Sequence, residues 1–75
     1  MLRVKWLKGT DDLSDAYNVR FQVFVKEQNV PIQLEMDDTD KIAQHIVVYR
    51  NNKPIGTGRI FVQDGKYYLG RIAVL

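Results

Sequence analysis

The sequence predicts an α+β fold in which one main helix packs on a mostly antiparallel four-stranded sheet, in the order β-α-β-β-β. Three observations predict it. The chain opens with a short stretch that alternates apolar and basic residues, and an amphipathic stretch follows. The rest is dominated by β-branched and aromatic segments separated by two turn signals. A chain of 75 residues has room for one domain or part of one.

The first strand and the helix follow from the spacing of their apolar residues. Residues 2–7 alternate, with Leu2, Val4 and Trp6 on one side, which predicts a half-buried strand. Three aspartates then stand where a helix N-terminus favours acids. Apolar residues next recur at steps of three and four, which predicts an amphipathic helix from about Asp11 to Lys26, packed on the sheet.

An irregular connection is predicted for the middle of the chain. Pro31 prevents a helix from continuing nearby and pushes the preceding residue into an extended conformation. Residues 28–41 are therefore expected to form a long loop with at most one short helical turn. Connections of that length usually carry function or are mobile.

Three strands are predicted after this loop. Residues 42–50 are rich in β-branched side chains, which favour strands. Residues 51–54 read as a turn, and residues 55–62 form the next strand. Asp64-Gly65 is a strong tight-hairpin signal, so residues 66–75 are expected to complete an antiparallel meander.

Composition excludes several classes of function. Because the chain has no cysteine, disulfides and thiolate metal sites are excluded. Its one histidine, His45, offers no imidazole cluster for a metal, and as part of an alternating strand it is expected to be structural. A net charge of +2 gives no reason to expect nucleic acid. No stretch approaches the roughly 18 apolar residues of a membrane span, so the sequence predicts a cytoplasmic protein without a membrane partner.

The acidic run Glu35–Asp40 allows three interpretations. A solvated acidic loop, or a set of caps for the strand that follows, is the simplest. A hard-cation site is a second, although the run lacks the central glycine and distal glutamate of a calcium loop. In the third, these acids orient an amine-bearing substrate or pair with Arg59.

Several segments, taken in order, resemble the GNAT-fold N-acetyltransferases, and most of all a small bacterial branch of that family. Each motif is short, but their order along nearly the whole chain is specific. The matching segments are Arg20-Phe21-Gln22-Val23-Phe24-Val25-Lys26-Glu27-Gln28-Asn29-Val30-Pro31, Glu35-x-Asp37-x-x-Asp40, Ala43-x-His45, Pro54-Ile55-Gly56-Thr57-Gly58-Arg59 and Leu69-Gly70-Arg71-Ile72-Ala73-Val74.

This resemblance implies transfer of an acetyl group from acetyl-CoA to a small-molecule or peptide amine, by direct attack of the amine. In the family, free backbone groups of the fourth strand bond the pantetheine arm as if it were an added strand. The corresponding positions here are Ile72, Ala73 and Val74. Glu27 and Glu35 are the candidates for binding the acceptor amine, and the resemblance assigns no catalytic residue.

The resemblance also implies that residues 1–75 are a partial domain, the N-terminal half of an acetyltransferase. The family's glycine-rich pyrophosphate loop, which precedes a phosphate-binding helix, would begin just past Leu75. We therefore expect this chain alone to bind acetyl-CoA weakly or not at all. Whether it is an enzyme by itself stays open at this point.

Two alternatives accompany this interpretation. Acyl-homoserine-lactone synthases are similar in the acidic segment, in the arginine and phenylalanine of the first helix, and in the arginine of the third strand. In the other alternative, the chain is a binding module whose exposed last strand, residues 66–75, associates with a second copy to give a homo-oligomer.

Overall fold

Four antiparallel strands form one sheet in the order β1-β2-β3-β4, and the helical stretch of residues 14–27 covers one of its faces. The computed structural model describes residues 1–32 and 37–75. The predicted fold class is confirmed. The elements in chain order are β1 (Leu2–Lys8), α1 (Ser14–Arg20), a π-helical segment (Phe21–Glu27), α2 (Thr39–Ile42), β2 (Gln44–Arg50), β3 (Lys53–Gln63) and β4 (Lys66–Val74).

The helical stretch begins later than the sequence pattern predicts. We expected a start near Asp11, but α1 begins at Ser14. The two preceding aspartates form a turn instead, because Asp11 accepts a hydrogen bond from the Lys8 amide and Asp12 accepts one from the Ser14 amide. The Ser14 amide holds the pKa of Asp12 below its usual value.

The second half of the helical stretch is wound more loosely than an α-helix. Phe21–Glu27 is π-helical, and the Gln28 amide donates to the Val23 carbonyl five residues back at 3.2 Å. The Val30 amide closes the end by donating to the Phe24 carbonyl at 2.9 Å. The apolar spacing predicted a helix here but carried no signal for this change of pitch.

Two tight turns set the register of the strands. Asp64 and Gly65 both have positive φ, as the hairpin type that matches strand twist requires. Asn51 and Asn52 do the same between β2 and β3. The β2 strand starts at Gln44 instead of 42 because the single helical turn α2 occupies the residues before it.

The core lies between the sheet and the helical stretch, in two apolar clusters. Residues paired directly across the sheet share a face, so the covered face follows from the register. One cluster consists of Leu7, Leu13, Ala16, Val47 and Tyr49. The other consists of Val19, Val23 and Ala73, with Phe24 packed against it.

The apolar side of β1 lies opposite the helix and is not buried by this chain. Leu2, Val4 and Trp6 do share one side, as predicted, but they are 64%, 53% and 63% exposed. Arg3 stacks on the Tyr49 ring on the other side, and Leu7 enters the core there. The alternation therefore identified the strand correctly, whereas it left open which side the helix covers.

A hydrogen bond across the core joins the helix to the sheet. The Tyr49 hydroxyl donates to the Asp15 carboxylate at 2.6 Å, and this bond, together with burial, raises the pKa of Tyr49. We expect Tyr49→Phe to lower the free energy of unfolding by about 1.5–3 kcal/mol at neutral pH, in a urea titration followed by circular dichroism.

The pH dependence of the stability of this variant tests whether the loss comes from the hydrogen bond to Asp15. Because the folded-state pKa of Tyr49 is raised, its contribution is complete below the unfolded value of about 10 and is lost as pH rises through the folded value. The stability difference between wild type and Tyr49→Phe should therefore shrink above about pH 10. A difference that stays constant from pH 7 to pH 11 would assign the effect to packing alone.

Among residues 1–32 and 37–75, no helix is both long and apolar enough to cross a membrane.

Candidate functional site

A buried carboxylate binds two arginines from different elements. Asp40, on α2, accepts a hydrogen bond from Arg20 at 2.9 Å and another from Arg59 at 2.8 Å. Arg20 ends α1 and Arg59 lies in the middle of β3. The side chains of all three are less than a tenth exposed. The pairing therefore ties the loop before β2 to both the helix and the sheet.

A second carboxylate extends this network to the edge of the sheet. Asp37 accepts two hydrogen bonds from Arg59, at 2.8 and 3.2 Å, and one from Arg71 at 3.2 Å. The hydrogen bond from Arg59 is the main reason that the pKa of Asp37 lies below its ordinary value. Burial lowers the pKa of Arg59, but its bonds to Asp37 and Asp40 outweigh this and raise it.

His45 binds the backbone of the segment that carries Asp40. Its ring is buried on β2, and its Nε2 lies 3.0 Å from the backbone carbonyl oxygen of Asp40, to which it donates. This arrangement fits the structural role expected from its place in an alternating strand. The observed network also realises one interpretation of the acidic run, because Asp37 and Asp40 both pair with Arg59.

The cofactor-binding positions inferred from the resemblance lie on β4, which is an edge strand. The Leu75 amide donates to the Ile55 carbonyl at 2.8 Å, so the backbone of Val74, one residue earlier in the ladder, faces the free edge. Ala73 packs under the helix, while the side chains of Ile72 and Val74 are exposed.

An irregularity interrupts β4 just before these residues. The register shifts between Thr57 and Arg59, and Arg71 has a φ of 51°. A positive φ is uncommon for a residue other than glycine and is costly unless its surroundings hold it. The ion pair with Asp37 is one such restraint, because it connects the irregular residue to the buried network.

Of the two residues predicted to bind the acceptor amine, Glu27 lies within the described part of the chain. Glu27 ends the π-helical segment and is exposed. It lies one turn beyond Val23, which belongs to the same buried cluster as Ala73 of β4. Glu35 lies outside the described residues.

Two members of the network were not anticipated from the sequence. Arg20 continues the stripe of Leu13 and Ala16 at helical spacing, and a basic residue on an apolar stripe is a signal for a buried ion pair. Arg71 had no comparable signal, because its position depends on the bulge in β4. Within residues 1–32 and 37–75, no group of three or more histidine or acidic side chains is placed to hold a metal ion.

Comparison with known proteins shows extensive similarity over this chain. No family model matches it. The uncharacterized N-acetyltransferase YjcF of Bacillus subtilis is 50% identical over 68 residues, covering 91% of this chain and 49% of that protein. A second Bacillus subtilis protein, provisionally named an acetyltransferase, is 38% identical over 77 residues, covering 99% of this chain and 52% of its own length.

Solved structures agree with these sequence relatives. An acyl-CoA N-acyltransferase from Pseudomonas aeruginosa superposes with a TM-score of 0.87 at 24% identity, over 100% of this chain and 57% of that one, which shows a shared fold. Escherichia coli ElaA superposes with a TM-score of 0.83 at 28% identity, over 99% of this chain and 55% of that one. The chain thus spans about half the length of the relatives it matches.

Proposed function

This chain is a part-length relative of the GNAT-fold N-acetyltransferases, and from that premise we propose that it provides the strand that binds the acyl-CoA arm in transfer of an acetyl group to an amine. The observation that carries the proposal is the free edge of β4 at Val74. The pantetheine arm of acetyl-CoA contains amide groups, which can pair with an open strand edge as a peptide does.

The proposed reaction is a direct transfer. The amine nitrogen attacks the thioester carbonyl carbon, the carbon–sulfur bond breaks, and the thiolate of CoA leaves and takes up a proton. This chain's part is to hold the thioester arm along β4, while Glu27, exposed one helical turn beyond Val23, attracts the amine acceptor. We propose the same role for Glu35, which is not among the described residues.

The proposal is tested by nuclear magnetic resonance titration of the labelled chain with acetyl-CoA. We expect binding in the millimolar range, with amide shifts concentrated at Ile72, Ala73 and Val74. Val74→Pro should abolish those shifts without unfolding the sheet, because the lost amide faces the free edge, where proline is tolerated.

Ala73→Pro is the matched control, since the alternation of the ladder turns its amide toward β3 and its loss should destabilise the fold. Shifts centred away from β4 would contradict the assignment of the binding strand. Micromolar affinity by calorimetry would contradict the expectation that the chain alone binds weakly.

A second candidate function is self-association through β4. It is favoured by the position of β4 at the sheet edge and by the exposure of its apolar side chains. In this alternative the chain acts as a binding module, and a second copy is its partner.

A further inference from the structure

Three buried polar atoms in the ion network have no hydrogen-bond partner among residues 1–32 and 37–75. They are Oδ2 of Asp40, Nδ1 of His45 and Nε of Arg59. The three residues are each less than a tenth exposed. A buried polar group without a partner destabilises a fold, and folded proteins therefore satisfy nearly all such groups with protein atoms or with ordered water.

The three atoms belong to residues that already contact one another. His45 on β2 and Arg59 on β3 are direct partners in the ladder, on the side of the sheet that the helix covers. Asp40 bonds to both, because its backbone carbonyl accepts from Nε2 of His45 at 3.0 Å and its Oδ1 accepts from Nη1 of Arg59 at 2.8 Å. Since direct cross-strand partners have Cα atoms only about 5 Å apart, the three residues form one compact cluster.

The hydrogen-bonding role of each atom follows from the contacts that its residue already makes. A backbone carbonyl only accepts, so Nε2 of His45 carries a proton, and in the neutral ring Nδ1 is then an acceptor. A carboxylate oxygen accepts, whereas the Nε of a guanidinium only donates. The cluster therefore presents one unpaired donor, on Arg59, and two unpaired acceptors, on Asp40 and His45.

These groups do not satisfy one another. The unpaired atoms of Asp40 and His45 are both acceptors, so they cannot bond to each other. Arg59 directs Nη1 to Asp37 and Asp40, and Nη2 to Asp37, which fixes the plane of its guanidinium. Turning its Nε toward either acceptor would disrupt these bonds. A further molecule that both donates and accepts is therefore needed to complete the cluster.

We propose that this cluster binds one internal water, which accepts a hydrogen bond from Nε of Arg59 and donates its two protons to Oδ2 of Asp40 and Nδ1 of His45. About three hydrogen bonds is the usual number for a buried water. A cation does not fit, because it cannot accept from Arg59, and an anion does not fit, because it has no protons for the two acceptors. All of these atoms belong to the buried network, so the water is independent of the transfer reaction proposed above.

Nuclear magnetic resonance of the labelled wild-type chain tests the proposal without any substitution. We expect nuclear Overhauser effects between a long-lived water and the proton on Nε of Arg59. The nitrogen shifts of the His45 ring should show a proton on Nε2 and none on Nδ1. Exchange of the Arg59 Nε proton with solvent should be at least about tenfold slower than that of Arg50, which is exposed.

His45→Gln tests the contribution of the imidazole acceptor. The glutamine amide can still donate to the Asp40 carbonyl, but it has no counterpart of Nδ1. We expect the water signal at Arg59 to be lost in this variant while circular dichroism stays that of wild type. Asp38→Ala is the matched control, because Asp38 lies two positions before Asp40 and its side chain is 99% exposed, so its removal should leave the water signal unchanged.

Three results would overturn the proposal. One is the absence of a water signal at Nε of Arg59 in the wild-type chain, which would mean that the cluster is dry or is completed by a side chain. Another is a His45 ring with its proton on Nδ1, which would remove one of the two acceptors. The third is a folded His45→Gln chain that keeps the wild-type water signal. If His45→Gln does not fold, the two wild-type measurements decide the matter alone.

Discussion

Replacing Asp40 with alanine should lower the free energy of unfolding by about 3–5 kcal/mol, which is a large part of the roughly 4–11 kcal/mol expected for a domain of this size. The carboxylate is buried between Arg20 and Arg59 at 2.9 and 2.8 Å. Without it, Arg20 and Arg59 lose the buried counter-charge that they share, and Arg59 keeps its pairing with Asp37 at the edge of the network. The cost arises from the charges left behind, so it exceeds the net strength of the original pairs.

Urea denaturation followed by circular dichroism measures this effect, and Asp38 supplies the matched control. The Asp38 side chain is 99% exposed and pairs only loosely with Lys41 at 3.6 Å, so Asp38→Ala should change stability by less than about 0.5 kcal/mol. An Asp40 variant as stable as the Asp38 variant would mean that water or rearrangement compensates the two arginines.

Gly9→Ala is the other change from which we expect a large loss, about 3 kcal/mol or more. A methyl group at Gly9 would collide with the backbone of Asp40 and Lys41. Backbone atoms cannot rotate away as a flexible side chain can, so α2 would have to move and would carry Asp40 away from Arg20 and Arg59.

The control for this variant is Gly70→Ala. Gly70 lies in β4, and an added methyl group there meets no atom within 4 Å, so the expected change is within about 1 kcal/mol. Thermal melts of both variants give the comparison. Equal melting temperatures would show that the contact at Gly9 can relax without disturbing the loop.

The sequence predicted the sheet better than it predicted the site. Alternation and turn chemistry were sufficient for the strands, because both act between near neighbours, and the positive φ values of Asp64 and Gly65 confirm the hairpin. The helix start was misplaced because the aspartates at 11 and 12 bond the backbone of the turn before it. Local competition of this kind is not visible in residue type alone.

The ion network shows why the rest could not be predicted. Asp40 and Arg20 are 20 positions apart, and Asp37 and Arg71 are 34 apart. Their meeting depends on how the helix crosses the sheet and on the bulge in β4, which are properties of the assembled fold. The pairing of the acidic run with Arg59 was one of three interpretations from sequence, and only the geometry selected it.

The carboxylate of Asp37 has a mechanical consequence, because it is shared by Arg59 within the sheet and Arg71 at the sheet's edge. Through this one carboxylate, the segment before β2 is connected both to β3 and to the edge strand β4. A ligand that changed the backbone conformation at Arg71 would have to break or strain its ion pair with Asp37. Conversely, a substitution that weakened the pairing of Asp37 with Arg59 would remove a restraint on the irregular backbone of β4. By thermodynamic linkage, the conformation of the β4 edge and the stability of the buried ion network are coupled, so a change in either one affects the other.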